Sequence, residues 1–167
     1  LADKIVIATG AWSRALATQV GDRVPLDTER GYHLMLPVEN SAMLQRSVVN
    51  ADHSFVLSPM DTGLRLASQV EFAGLDAAPD YARVRSLLPL AERMLPGIDS
   101  TEQSVGMGCR PSWPDSLPVL GYAKQSNSVL YAFGHQHLGM TLGPRTALIT
   151  ADLVAGRDPQ IDLRPYR

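Results

Sequence analysis

The sequence predicts an α+β fold: a mixed, mainly antiparallel sheet with a few flanking helices. Three observations carry this. Residues 54–60 and 64–71 are two strand-like runs joined by Asp61-Thr62-Gly63, the pattern of a β-hairpin. Residues 81–95 place Val84, Leu87, Leu88, Ala91, Met94 and Leu95 at helical spacing, with Arg83, Arg85, Glu92 and Arg93 on the other face. The apolar run Val129-Leu130-Tyr131-Ala132-Phe133 leads through a glycine-rich stretch to Leu148, Ile149, Ala151, Leu153 and Val154 at helical period, a strand–turn–helix.

The remaining elements follow in order. Ile5-Val6-Ile7-Ala8 is a short buried-strand pattern ended by Thr9-Gly10, and Trp12-Ser13 opens a short helix over 14–19 with Gly21 as its stop. Residues 30–37 alternate polar and apolar and read as a strand. Residues 76–79 form a loop. Pro89 should kink or split the helix of 81–95, and Leu95-Pro96-Gly97 stops it. A strand over 104–110 feeds a segment in which Pro111, Pro114 and Pro118 favour an extended turn that presents side chains rather than pairing in a sheet. Residues 124–128 make a polar hairpin turn. Gly156-Arg157-Asp158-Pro159 ends the last helix, and 161–166 trail across the surface.

The composition bounds the function classes. The 167 residues suffice for one sizeable domain, and 45% hydrophobic with 19% charged residues argues against disorder. A net charge of -2 gives no electrostatic footprint for nucleic acid. The apolar runs are too short to span a bilayer. The single cysteine, Cys109, excludes an internal disulfide and any multi-cysteine metal site, and suits a reducing compartment.

Two stretches have the chemistry of a site. In Gly134-His135-Gln136-His137-Leu138-Gly139-Met140-Thr141, backbone N–H groups at a helix start would favour a phosphate, a carboxylate or the electron-rich edge of a flavin. The bland reading is a turn that packs a helix on a sheet. His135 and His137 lie two apart, but no third metal ligand stands at a characteristic spacing, so no metal is assigned. The second stretch is Gly108-Cys109-Arg110-Pro111-Ser112-Trp113-Pro114-Asp115-Ser116-Leu117-Pro118. The Arg110 guanidinium offers a planar two-pronged donor matched to a carboxylate; its structural alternative is a salt bridge, for instance to Asp115. Arg30, Tyr32 and His33 could reach a site. Equally, Tyr32 could be a half-buried strand aromatic and Arg30 a surface ion-pair former.

These stretches resemble the FAD-dependent amine and amino-acid oxidoreductases, and within them the D-amino-acid dehydrogenase and glycine oxidase-like branches. The run 132–139 is similar to that family's "Ala-Phe-Gly-His-x-His-x-Gly". The run 108–121 is similar to its "Gly-x-Arg-Pro-x-x-Pro-Asp-x-x-Pro-x-x-Gly", Arg30-Gly31-Tyr32-His33 to the crossing into its substrate-binding sheet, and Ala8-Thr9-Gly10-Ala11-Trp12-Ser13 to the motif closing its nucleotide-binding half.

The resemblance implies three parts: residues 1–24 as the C-terminal piece of the FAD-binding domain, 25–107 as the substrate-binding sheet domain, and 108–167 as a return segment with the flavin-contacting turn and last helix. It implies FAD held by Thr9, Gly10, Ala11, Trp12, Gly108, Gly134, His135, His137, Leu138, Gly139, Met140 and Thr141, and substrate held by Arg110 with Tyr32 and His33. No side chain is nominated as acid or base. The implied reaction is oxidative deamination of D-amino acids to 2-oxo acids and ammonia. The alternatives are a glycine, sarcosine or hydroxyproline enzyme of the same superfamily, and an inactive fragment serving as a binding module. The chain opens at Leu1 on a strand and contains no Gly-x-Gly-x-x-Gly fingerprint. The expectation is therefore a fragment that ends near its domain end at Arg167, lacks its N-terminal FAD-binding half, binds FAD weakly or not at all, and can self-associate through exposed apolar surface. The expected location is cytoplasmic, with peripheral attachment at the inner membrane as a variant.

Overall fold

A computed structural model describes residues 2–166; Leu1 and Arg167, the two ends noted above, lie outside the described residues. The elements are β1 (Ile5–Ile7), α1 (Ser13–Val20), β2 (Asp27–Leu36), β3 (Val48–Asn50), β4 (Phe55–Met60), β5 (Gly63–Phe72), α2 (Ala82–Arg85), α3 (Leu88–Met94), β6 (Ser104–Ser112), β7 (Val119–Ala123), β8 (Ser126–Phe133) and α4 (Gly139–Val154). The fold is mixed α+β, as its sequence patterns predict. Leu1–Glu29 with Cys109–Arg167 form one unit, and Arg30–Gly108 form the other.

In the first unit, β1, β8 and β7 form a three-stranded sheet. β7 and β8 pair antiparallel, with Ala123 opposite Ser126, so Lys124 and Gln125 make the turn. β1 joins β8 in parallel, with Ile5 opposite Val129 and Ile7 opposite Tyr131. Ile7, Ala17, Val24, Leu26, Val119, Tyr131 and Phe133 form the core beneath it. α1 stops at Gly21, whose φ of 99° takes the left-handed cap and bonds back to Ala17 and Thr18. α4 begins at Gly139, earlier than its apolar period suggests, and includes Pro144 in its second turn. Helical spacing shows where a helix is buried, not where its exposed first turns begin.

In the second unit the sheet order is β3-β4-β5-β2-β6, with β6 entering at Ser104 on one edge. β4 and β5 are the predicted hairpin, closing at Met60 opposite Gly63 around Asp61 and Thr62. Tyr32, Leu34 and Leu36 of β2 alternate onto one face and meet Phe55, Leu57, Leu64 and Leu66. Val84 and Leu87 with Ala91 of α3 cover this face. Each fully buried leucine contributes about 2 kcal/mol of apolar transfer. Pro89 splits the helix rather than kinking it. It occupies the first turn of α3, where its missing N–H costs nothing.

The proline-rich segment differs from its prediction in one respect. β6 continues through Pro111 to Ser112 instead of ending at Arg110. It is a strand at the end of the sheet order, where a proline removes no ladder bond. Arg30 also departs from a surface ion-pair role, because it is fully buried. Its guanidinium donates to the carbonyls of Gly74 and Ala77 at 2.7 Å each and of Ala78 at 3.4 Å, and lies 3.7 Å from Glu71. It pins the loop after β5.

Candidate functional site

Parallel pairing of β1 and β8 sends both strands out of the same end of the three-stranded sheet. The turns that follow, 8–12 and 134–138, therefore share that end, outside the carboxyl ends of parallel strands, where open α/β sheets bind ligands. After β1, Gly10 (φ 58°) opens a 3-10 turn to Trp12. Thr9 Oγ1 lies 3.0 Å from the buried Ser13 hydroxyl, Ala11 is buried, and Trp12 is 60% exposed. After β8, Gly134 (φ 88°) and Gln136 (φ 49°) bend the chain into α4. The turn exposes His137, Leu138, Gly139, Met140 and Thr141, with Met140 95% exposed. Their N–H groups stand at the positive end of a 16-residue helix.

The same turn is clasped to the Arg-Pro segment. Gln136 N–H donates to the Pro111 carbonyl at 3.1 Å, and its side-chain amide donates to the Trp113 carbonyl at 3.0 Å. Glu29 adds a second clasp, accepting from the Ser112 hydroxyl at 2.7 Å and lying 3.1 Å from His137 Nε2. Arg110 sits one residue from this junction and its Nη1 is buried without a hydrogen-bond partner among the described residues. Asp115, its structural alternative, instead accepts the Leu117 N–H at 2.9 Å. A buried guanidinium nitrogen left unpaired is costly unless a ligand pairs it. Neither Gln136 nor Glu29 stood out in the sequence, because their partners lie 23 and 83 residues away in the chain.

His135 Nε2 lies 2.9 Å from the Thr146 hydroxyl of α4, and burial holds its pKa below the usual histidine value. In the second unit, His33 is also lowered, first by burial and then by the Arg65 charge. Unfolded imidazoles titrate near 6.5. Both groups are thus protonated more readily in the unfolded chain, so their stabilising contribution is complete above about pH 6.5 and is lost as pH falls through the lower folded values. Urea midpoints measured from pH 7.5 to 5 are expected to decline, and His135→Gln should flatten that decline. An unaltered acid slope in this variant would refute the assignment for His135.

Tyr32 lies in the core of the second unit, 1% exposed, with its hydroxyl bonded to the Glu71 carboxylate and the Asp80 N–H. His33 faces the opposite side of β2, and Gly108 is exposed on β6 with open space where a Cβ would stand. A cavity of about 570 Å³ in the first unit contains none of the predicted site residues. Its buried acid, Asp22, is already satisfied by the Tyr131 hydroxyl at 2.9 Å and the Lys124 N–H at 2.8 Å. Among the described residues no cluster of three His, Cys, Asp or Glu could hold a metal, and no helix is long and apolar enough to cross a membrane.

Residues 1–153 match the DAO family model, described as FAD dependent oxidoreductase. The chain is 41% identical to a D-amino-acid oxidase of Bradyrhizobium diazoefficiens, over 98% of its own length and 40% of the relative's. It is 37% identical to a D-amino acid dehydrogenase of Paramagnetospirillum magneticum, over 97% and 39%. The crystal structure of glycine oxidase from Geobacillus kaustophilus superposes with a TM-score of 0.83 at 29% identity, over 99% of this chain and 45% of that one. The chain thus spans about two fifths of the curated relatives it matches. With residues 1–153 matched, the chain belongs to the DAO family of FAD-dependent oxidoreductases.

Proposed function

We propose that the full-length protein oxidatively deaminates D-amino acids, and that this chain supplies its carboxylate anchor and flavin-edge contacts. The observation that carries the reading is the buried, unpaired Nη1 of Arg110 beside the clasped turn. A substrate carboxylate would complete its hydrogen bonding and fix the α-carbon in a reactive orientation. The N–H groups of residues 139–141, beside the exposed apolar Leu138 and Met140 side chains, fit the electron-rich edge and flat face of a flavin. When bound, FAD supplies the two-electron redox chemistry. The substrate loses a hydride from Cα and a proton from nitrogen, and water then converts the imino acid to a 2-oxo acid and ammonium. Arg110 holds the carboxylate through these steps, and the α4 amides steady negative charge. No side-chain base is needed for a substrate amine that arrives neutral.

The test is anaerobic mixing of the FAD-loaded full-length protein with D-alanine, L-alanine and glycine, read at the visible flavin band. Bleaching by D-alanine alone is expected. Bleaching by glycine but not by D-alanine would replace this reading with that of a glycine-specific enzyme, and no bleaching by any amine would refute it. The isolated 167-residue chain is expected to lose added FAD on desalting, because it has no phosphate-binding fingerprint. We also propose that the N-terminal half covers the exposed apolar side chains near the site, and that without it this surface drives self-association.

A further inference from the structure

The reading above uses one arginine with an unpaired buried nitrogen; the chain contains a second. Arg65 lies in β5 between Leu64 and Leu66, both 0% exposed in the core, so strand alternation puts Arg65 on the opposite face of the sheet. Its Nε is buried with no hydrogen-bond partner, and no ion pair among the described residues includes it. Arg30 on the neighbouring strand shows the contrast: where this unit buries an arginine for structure, it surrounds it with carbonyls and a carboxylate.

Arg65 has one companion and a bare floor. His33 of β2 shares this face, and a Cβ on Gly106 of β6 would come within 2.5 Å of its ring, so the ring lies directly over that glycine. The His33 imidazole feels the Arg65 charge. Around them are small residues: Ser58 stands opposite Arg65 in the ladder, Ala67 follows it on the same face, and Gly106 has no side chain. One permanent charge beside a neutral imidazole matches a singly charged carboxylate better than a phosphate dianion. An anion there would satisfy the orphaned Nε–H, with a second donor from His33.

We propose that Arg65 with His33 forms a binding site for a carboxylate in the second unit. The test uses the full-length protein. In NMR spectra of histidine-labelled protein, succinate is expected to shift the His33 Cε1–H signal and succinamide is not; Arg65→Gln abolishes the response. Gly106→Ala, which displaces the His33 ring and leaves Arg65 in place, weakens succinate binding by about threefold or more. A His33 signal indifferent to succinate, or a succinate response that persists in Arg65→Gln, overturns the proposal.

Discussion

Replacing Arg110 with alanine in the full-length protein is expected to lower kcat/KM for D-amino acids by about a thousandfold, with little change in stability. The two halves of this expectation have one cause. Loss of one partner from a desolvated, hydrogen-bonded charge pair costs about 2–5 kcal/mol, and the upper part of that range corresponds to about a thousandfold. In the free protein the pair does not exist, because Nη1 of Arg110 is buried without a partner among the described residues. Removing such a group from the apo fold deletes a desolvated donor and breaks no hydrogen bond at that atom, which is nearly neutral. A structural arginine would behave oppositely: Arg30, saturated by carbonyls, should lose stability when truncated. Arg110→Lys keeps the charge but loses the planar fork, and should recover only part of the activity. Steady-state kinetics with D-alanine, beside thermal melts of the same variants, decide it. Activity within threefold of wild type, or a large drop in melting temperature, would remove Arg110 from the substrate site.

Gly63→Ala is the substitution with the largest expected cost in stability, about 3 kcal/mol. Gly63 opens β5 immediately after the hairpin turn, with φ at 136°, and a Cβ there would press into the Leu36 carbonyl oxygen at the end of β2. The cost thus combines backbone strain with a clash against main chain that cannot move without disturbing the β2 end of the sheet. Gly97→Ala separates the two contributions. Its φ is also positive, at 89°, but a Cβ would meet nothing, so it should cost only about 1 kcal/mol. Urea unfolding of the two variants at equal m-value makes the comparison. Equal midpoints would show that the Leu36 approach contributes nothing.

The elements were legible where local chemistry forces them. Asp61-Thr62-Gly63 between alternating runs specifies a hairpin, and Pro89 fits the first turn of a new helix, so 81–95 breaks into two. The start of α4 was less legible, since its first turn is exposed and carries no apolar period.

By itself the sequence determined the α+β class, the order of its motifs, and the residue types able to bind a carboxylate and a flavin edge. It picked out Arg110 by its motif, left Arg30 open between a site and a surface ion pair, and gave no sign of Arg65. Tertiary structure made them different. Arg30 is surrounded by the carbonyls of a loop more than forty residues away in sequence, whereas each of the other two retains a buried nitrogen without a partner among the described residues. Likewise, alternation separated Tyr32 from His33, but only packing decided which face α2 and α3 would cover. The clasp of Gln136 to Pro111 and Trp113 depends on two turns meeting in space. Strand and turn propensities act over a few residues, so they set the elements. Whether a buried polar atom finds a partner depends on distant segments, and that decided the site.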